Sequence, residues 1–240
     1  MNCVIIAAGQ GSRLREIARS KPLATVLGVP LIERVIEAAH AGGATDFVVV
    51  TGYEAEPLEA FLAELADRKG LAITPVRNPD WRAANGLSVV AAAQVAGERF
   101  LLLMADHLFD PEIVRGLVAA ARGREGLTLA VDRRLDNPLV DLDDVTRVAV
   151  GPDGAIRRIG KHLDPYDAFD TGVFLADARL PAAILEDVAA GGPGSLSAGV
   201  QRLAERGLAK TYDVGARFWI DIDDAVAFGH AEREQGRLAS

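Results

Sequence analysis

Apolar residues recur along the chain in short runs that have the length of β-strands. These runs lie between polar segments and cover residues 2–7, 46–51, 72–76, 99–104 and 126–131. Between them, apolar positions repeat with the period of an α-helix over residues 31–42, 55–68, 86–96 and 111–121. Strands that alternate with helices predict an α/β fold, in which a mostly parallel sheet is covered by helices on both sides.

The pattern changes after about residue 132. Short apolar runs and turns replace the regular alternation, and residues 146–160 predict a hairpin that turns at Pro152-Asp153-Gly154. Residues 169–175 predict another buried strand. We therefore predict a single domain over residues 1–240, in which a regular α/β core is followed by a smaller, strand-rich part.

Composition and net charge narrow the functions that such a fold can have. Half of the 240 residues are apolar, which is enough for a sizeable core. The formal net charge of -8 argues against binding to nucleic acid or to an anionic membrane surface, since both need clustered lysine and arginine. Cys3 is the only cysteine, which excludes an intrachain disulfide and a thiolate metal cluster. The chain has no signal-peptide pattern and no membrane-spanning apolar run, so we expect a cytoplasmic protein without membrane insertion.

The first predicted strand leads into a loop that is suited to bind phosphate. Gly9 and Gly11 allow backbone conformations with positive φ, and they carry no side chain that would keep a polyphosphate from the main-chain N–H groups. Arg13 and Lys21 supply the positive charge that such an anion needs. This combination predicts a binding loop for a nucleoside triphosphate.

Two better-known phosphate loops do not fit this segment. A Walker loop would need Gly-x-x-x-x-Gly-Lys-Ser/Thr, and no such lysine follows Gly9 or Gly11 at that spacing. A dinucleotide-binding loop would need a third glycine where this chain has Leu14, and an acidic residue where it has Thr51-Gly52. Both alternatives fail on spacing.

Asp106 ends the apolar strand 99–104 and is a candidate metal ligand. Mg²⁺ in a nucleotide site prefers one or two carboxylates together with substrate oxygens. The alternative is that Asp106 caps a helix or closes a turn at the strand end. Ligands in such sheets bind at the carboxyl ends of the strands, so we expect the loop 8–13 and Asp106 to converge in space.

These segments together resemble the nucleotidyltransferases that make sugar nucleotides and CDP-alcohols. The resemblance rests on Ala7-Ala8-Gly9-x-Gly11-x-Arg13-Leu14, Lys21-Pro22, Met104-Ala105-Asp106-His107, Ile159-Gly160-Lys161, Phe169 to Phe174 and Phe218 to Asp224. It extends along essentially the whole chain and is closest to the inositol-1-phosphate cytidylyltransferase branch. It implies a three-layer, doubly wound, Rossmann-like fold with a small acceptor-binding β lobe. Residues 1–132 would then form the nucleotide-binding core, 133–222 the acceptor-binding part and 223–240 a C-terminal helix.

The resemblance also implies which residues form the site. The nucleotide would be bound by Ala7, Ala8, Gly9, Gly11, Ser12, Arg13, Lys21, Thr51, Asn85, Gly86, Ser88 and Asp106. The acceptor would be bound by Lys161, Asp170, Thr171 and Gly172. Catalysis would depend on Arg13, Lys21 and Lys161. Mg²⁺ would be held by Asp106 and Asp223, with Asp221 on the same side of an extended segment as Asp223.

For several of these residues a structural role is the alternative. Lys161 would then be a solvated lysine at a strand end, and Asn85 and Ser88 would cap the helix that follows them. Asp170 and Thr171 interrupt an apolar strand and need polar partners. Those partners are either the hydroxyls of a polyol or the neighbouring backbone.

The branch implies that CTP and inositol 1-phosphate give CDP-inositol and pyrophosphate. The alternatives are a phosphocholine or phosphonate cytidylyltransferase, another sugar-1-phosphate nucleotidyltransferase, a molybdopterin nucleotidyltransferase-like protein, and a nucleotide sensor without activity. Choline would need an aromatic cage, and the tryptophans and tyrosines form no cluster in the sequence. Members of this branch are often fused to a membrane phosphotransferase, which implies that the product is handed to such an enzyme. A homodimer is left open.

Overall fold

The computed structural model describes residues 1–11 and 20–238. Its strands are β1 (Asn2–Ile6), β2 (Thr25–Val26), β3 (Val29–Pro30), β4 (Asp46–Thr51), β5 (Ala72–Arg77), β6 (Arg99–Met104), β7 (His107–Phe109), β8 (Leu127–Asp132), β9 (Arg147–Val150), β10 (Ile156–Gly160), β11 (Ala168–Asp177), β12 (Ala209–Asp213) and β13 (Trp219–Asp221). Its helices are α1 (Leu31–Ala41), α2 (Ala55–Lys69), α3 (Gly86–Ala92), α4 (Pro111–Ala120), α5 (Arg179–Ala189), α6 (Leu196–Glu205) and α7 (Ala225–Leu238). A short 3-10 helix covers Lys21–Leu23.

Most of the strands in the described part of the chain form one mixed sheet. β1 lies between β4 and β6, and β5 follows β4, all four strands being parallel. β11 then runs antiparallel between β6 and β8, and β12 lies parallel to β8 at that side of the sheet. The hairpin of β9 and β10 attaches to the first residues of β11. The predicted α/β fold is thereby confirmed.

Helices cover both sides of this sheet. Successive strand residues point to opposite sides, so each strand contributes apolar side chains to both cores. In β1, Cys3 and Ile5 belong to the core on the side of α1, α2 and α4, whereas Val4 belongs to the core on the side of α3, α5 and α6. In β6, Leu101 and Leu102 divide in the same way. β1 and β6 are therefore apolar apart from their first residues, as their apolar runs predict.

The part of the chain after β8 shares the main sheet with the core. β11 is a ten-residue strand, and its register against β8 shifts between Asp170 and Phe174. Gly172 has a φ of +75° at this bulge, a conformation that glycine adopts without the strain a side chain would add. The bulge gives this stretch of β11 an irregular backbone, and Asp170 and Gly172 both line the cavity described below.

A separate two-stranded pair carries the acidic residues. β7 and β13 are antiparallel, and their register places Asp221 opposite His107. The backbone N–H of Ile222 also donates to the carbonyl of Asp106, at 3.0 Å. Two segments that are more than a hundred positions apart in the sequence thus lie side by side. Within the described residues, no helix is long and apolar enough to span a membrane.

Candidate active site

A cavity of about 240 Å³ opens where β6 ends. Its walls come from the residues after β6, from β11, from β13 and the turn after it, from the loop 139–146 and from the first residues of α6 and α7. Ligands bind at the carboxyl ends of strands in open α/β sheets, so this is the expected place for a site. The predicted residues Asn85, Asp106, Lys161, Asp170 and Gly172 all line it.

Lys21 connects the two carboxylates that we predict to bind the metal. Its Nζ lies 2.6 Å from Oδ2 of Asp106 and also donates to Asp223. The Lys21 side chain is only 8% exposed, whereas those of Asp106 and Asp223 are 27% and 30% exposed. Burial alone would lower the pKa of Lys21, but the charges of Asp106, Asp221 and Asp223 raise it above its usual range. Lys21 is therefore a permanent cation that neutralises the acidic residues around it.

His107 and Asp221 complete this charged group. The Nδ1 atom of His107 lies 2.9 Å from Asp106 and 3.6 Å from Asp221. Burial alone would lower the pKa of His107, but Asp221 and Asp106 outweigh it and raise the pKa from 6.5 to about 9. For the acid Asp221, burial has the opposite effect and raises the pKa to about 7, and the positive charge of His107 opposes this rise. Burial would also raise the pKa of Asp106, but Lys21 and His107 lower it well below its ordinary value.

The donor atoms in this group fit a divalent cation. Carboxylate oxygens of Asp144, Asp221 and Asp223 lie within 4.8 Å of one another. Ligand atoms of Asp106, His107 and Asp221 form a second such group, in which His107 could ligate a cation only after losing its proton. Oδ1 of Asp221 is buried and has no hydrogen-bond partner among the described residues. Carboxylate oxygens are the ligands that Mg²⁺ prefers. An unpaired buried oxygen is costly for the protein alone, and a bound cation would satisfy it.

The side of the cavity that we predict to bind the acceptor contains one lysine and several acidic residues. Lys161 follows β10, its side chain is half exposed, and its Nζ lies 2.5 Å from Oδ1 of Asp144. Asp170 accepts a hydrogen bond from the backbone N–H of Gly172 at 2.8 Å, and burial raises the pKa of Asp170 to about 6. The hydroxyl of Thr171 is buried and donates to the carbonyl of Ala130 at 2.8 Å. Asp170 and Thr171 therefore both have backbone partners.

The predicted phosphate loop is described as far as Gly11. Ala7 and Ala8 are buried, and the backbone N–H of Tyr53 donates to the carbonyl of Ala8 at 3.0 Å. Gly11 has a φ of +57°, and a Cβ at this position would lie 2.5 Å from Cβ of Lys21. The close approach of Lys21 therefore requires a glycine at position 11. Ser12 and Arg13 lie outside the described residues.

Three side chains that we predict to contact the nucleotide are hydrogen-bonded within the protein. Thr51 is fully buried and donates to Glu59 at 2.7 Å. Ser88 is 3% exposed and accepts a hydrogen bond from the amide of Asn78 at 3.1 Å. Oδ1 of Asn85 lines the cavity region but accepts from the backbone N–H of Leu196, at 3.0 Å, at the start of α6. Gly86 opens α3. Contacts of these residues with a nucleotide stay a prediction.

Sequence reasoning missed two acidic residues near the cavity. Asp144 lies in the acidic run 141–144, which resembles any solvated loop. Asp132 is fully buried at the end of β8, and Oδ2 accepts from Asn137 and from the indole N–H of Trp219, both at 2.8 Å. Its signal was the same as that of Asp106, a carboxylate directly after an apolar strand. Asp132 ties the start of the loop 133–146 to the strand that carries Asp221.

The sequence matches a known family model and several curated proteins. The model of the MobA-like NTP transferase domain matches residues 3–164. A protein of Rubrobacter xylanophilus named "Bifunctional IPC transferase and DIPP synthase" is 37% identical over 227 residues, which are 93% of this chain and 49% of that protein. A protein of Thermococcus kodakarensis with the same name is 32% identical over 238 residues, 98% of this chain and 51% of that protein. The chain therefore spans about half the length of these relatives.

Solved structures show the same fold. The inositol-1-phosphate CTP transferase from T. maritima superposes with a TM-score of 0.84 at 24% identity, over 97% of this chain and 96% of that chain. The UDP-glucose pyrophosphorylase from Acinetobacter baumannii superposes with a TM-score of 0.78 at 20% identity, over 98% of this chain and 93% of that chain. The Rossmann-like nucleotidyltransferase fold predicted from the sequence is confirmed.

Proposed function

Because this chain belongs to the family of MobA-like NTP transferase domains, we propose that it transfers CMP from CTP to a phosphorylated alcohol. Inositol 1-phosphate is the acceptor that we propose, with CDP-inositol and pyrophosphate as the products. The observation that carries this proposal is that Lys161 lines the same cavity as Asp106, Asp221 and Asp223. A cation for an incoming phosphate therefore faces a group of carboxylates suited to a metal-bound triphosphate.

The reaction is an in-line displacement at the α-phosphorus of CTP. An oxygen of the acceptor phosphate forms the new P–O bond, and the bond to the bridging oxygen of pyrophosphate breaks. A phosphate monoester is already ionised at neutral pH, so no general base is required. The protein contributes by positioning the two phosphates and by neutralising their charge.

The carboxylates and Lys21 have separate tasks in this proposal. Asp106, Asp221 and Asp223 would hold Mg²⁺, which when bound neutralises the triphosphate and stabilises the pyrophosphate that leaves. Lys21 neutralises Asp106 and Asp223 in the free protein. With CTP bound, we propose that its ammonium contacts the triphosphate beside Gly9 and Gly11. The single compact charge of a lysine suits a phosphate oxygen.

The character of the cavity supports a polyol rather than choline as the alcohol. Phe174 and Trp219 are the aromatic side chains among the described residues that line it. Trp219 donates its indole N–H to Asp132 and its ring stacks on that of His107, with ring centroids 6.5 Å apart. The face of the Trp219 ring that stacks on His107 is therefore not available to a choline cation. The lining also contains the carboxylates of Asp106, Asp144 and Asp170, which can accept hydrogen bonds from hydroxyls, whereas a choline site would need further aromatic rings.

A substrate panel tests the proposed function. The protein would be incubated with Mg²⁺ and each of CTP, UTP, GTP and ATP, together with inositol 1-phosphate, phosphocholine or glucose 1-phosphate, and the product mass determined. We expect CDP-inositol and pyrophosphate from CTP with inositol 1-phosphate. Product from another nucleotide or acceptor alone, or no pyrophosphate release from any pair, would contradict the proposal.

The wider setting of this reaction is also a proposal. The curated relatives are named for a second activity, DIPP synthase, and are about twice as long as this chain. We propose that the CDP-alcohol is handed to a membrane phosphotransferase with that kind of activity. A cytoplasmic location and a homodimer stay predictions.

A further inference from the structure

The loop between β8 and β9 places two further acidic residues, Asp141 and Asp144, at the cavity. Within this loop, the side chain of Asp141 accepts from the backbone N–H of Asp143 at 2.9 Å, and its carbonyl accepts from Val145, also at 2.9 Å. Arg147 donates to the carbonyl of Leu142 at 3.0 Å. This closed turn presents Asp144 to the cavity, where its side chain is 19% exposed.

Asp144 lies between the acceptor lysine and the predicted metal ligands. Its Oδ1 atom is 2.5 Å from Nζ of Lys161, and its carboxylate lies within 4.8 Å of those of Asp221 and Asp223. An acceptor whose phosphate contacts Lys161 and attacks a metal-bound α-phosphate must pass through this region. In that arrangement Asp144 would lie beside the ester bond of the acceptor and close to the carbon atoms next to it.

A carboxylate in this position discriminates between acceptors. The Asp144 carboxylate repels the acceptor phosphate. If the carbon next to the ester carries no hydroxyl, the acceptor buries this carboxylate without a hydrogen bond, which costs free energy. It is favourable only when a donor, such as a hydroxyl on the neighbouring carbon, pairs with it. The pair with the half-exposed Lys161 contributes about 1 kcal/mol at most, so it opens easily when a phosphate binds Lys161.

We propose that Asp144 selects acceptors that carry a hydroxyl next to the phosphate ester, by accepting a hydrogen bond from that hydroxyl. This inference rests on the proposed function, because it needs Lys161 to bind the acceptor phosphate. The acceptor class is a vicinal polyol phosphate.

The test compares two acceptors with the same ring. Inositol 1-phosphate carries hydroxyls on the neighbouring carbons, whereas cyclohexyl phosphate has none. The value of kcat/KM for both would be measured in the wild type, in Asp144→Asn and in Lys161→Ala. For Asp144→Asn we expect a loss of roughly 10- to 100-fold with inositol 1-phosphate and no loss with cyclohexyl phosphate, since a hydrogen bond to a charged group is removed. For Lys161→Ala we expect similar losses with both.

Asp143→Asn is the matched control, because Asp143 is the exposed neighbour on the same turn. It should keep the wild-type preference. Calorimetric binding of CTP and a thermal melt would show that Asp144→Asn is folded and binds the donor. Equal losses of Asp144→Asn with both acceptors would overturn the inference while leaving the proposed function intact. A wild type that does not use inositol 1-phosphate would overturn the proposed function and the inference with it.

Discussion

The substitution Lys21→Met removes the charge that holds Asp106 and Asp223 together. Methionine keeps the length of the aliphatic chain, so the packing against Gly11 is retained. Breaking a buried ion pair by removing one partner costs about 3–5 kcal/mol, because the other charge is left unpaired. Asp106 and Asp223 are 27% and 30% exposed, which places the expected loss at the lower end, about 3 kcal/mol. For a chain of this length, that corresponds to a fall in Tm of about 6–12 °C.

We also expect a divalent cation to stabilise Lys21→Met more than it stabilises the wild type. With Lys21 absent, a divalent cation has no competitor for the two carboxylates. Binding at a free concentration of about 100 times Kd stabilises the native state by about 2.7 kcal/mol, which would restore most of the loss. In the wild type, the ammonium already neutralises these carboxylates, so the same Mg²⁺ concentration should add much less. Turnover should be lost in the variant even when its stability is restored.

Urea unfolding in EDTA and in excess Mg²⁺ measures both effects. The control is Lys161→Met, which removes a half-exposed partner of Asp144 and should cost about 1 kcal/mol or less. A free energy of unfolding for Lys21→Met within 1 kcal/mol of the wild type in EDTA would refute the reasoning. Equal stabilisation of wild type and variant by Mg²⁺ would show that the ammonium and the metal do not share the same carboxylates.

Three further predictions follow from the site. Asp106→Ala should abolish nearly all turnover while the melting curve stays cooperative, because it removes a metal ligand rather than a core side chain; near-normal kcat in the folded variant would exclude the metal assignment. Asp170→Asn should gain stability over the wild type as the pH rises. The raised pKa of Asp170, about 6, means that the wild type loses stability between pH 4 and 6, by up to about 3 kcal/mol at 1.36 kcal/mol per pH unit; a pH-independent difference in urea unfolding would contradict this. Gly172→Ala should be destabilised by more than the roughly 1–2 kcal/mol of its positive φ, since the new Cβ would lie 2.5 Å from the His107 ring. Gly154→Ala is its control, with a φ of +72° and a nearest atom at 3.8 Å, and equal losses would show that the His107 contact is relieved without cost.

Much of the fold could be predicted from the sequence, because unbroken apolar runs report burial directly. β4 and β6 begin and end at the predicted residues, and the hairpin of β9 and β10 turns where Pro152-Asp153-Gly154 predicts. The helices α5 and α6 were not predicted, since the regular alternation of strands and helices no longer holds after β8. The antiparallel insertion of β11 was also missed. Strand order depends on contacts between residues that are distant in the sequence. The periodicity of apolar positions carries no information about such contacts.

The site was predicted in part, for similar reasons. Lys21, Asp106 and Asp223 stand in segments with distinct spacing, and the structure brings them together. Asp144 was missed because an acidic residue in an exposed loop has no local pattern that separates it from a solvated side chain. The hydrogen bonds of Thr51 and Ser88 to Glu59 and Asn78 were equally invisible, since those partners are identified only by the fold.

The pairing of β7 with β13 sets a condition on when the candidate site can form during synthesis. The phosphate loop and Asp106 leave the ribosome early, and the matched family region ends at residue 164. Asp221 and Asp223 emerge more than a hundred residues later, and until then Asp106 is the one of these two ion-pair partners that Lys21 can contact. A nascent chain that stops before β13 therefore has a nucleotide loop without a complete set of metal ligands.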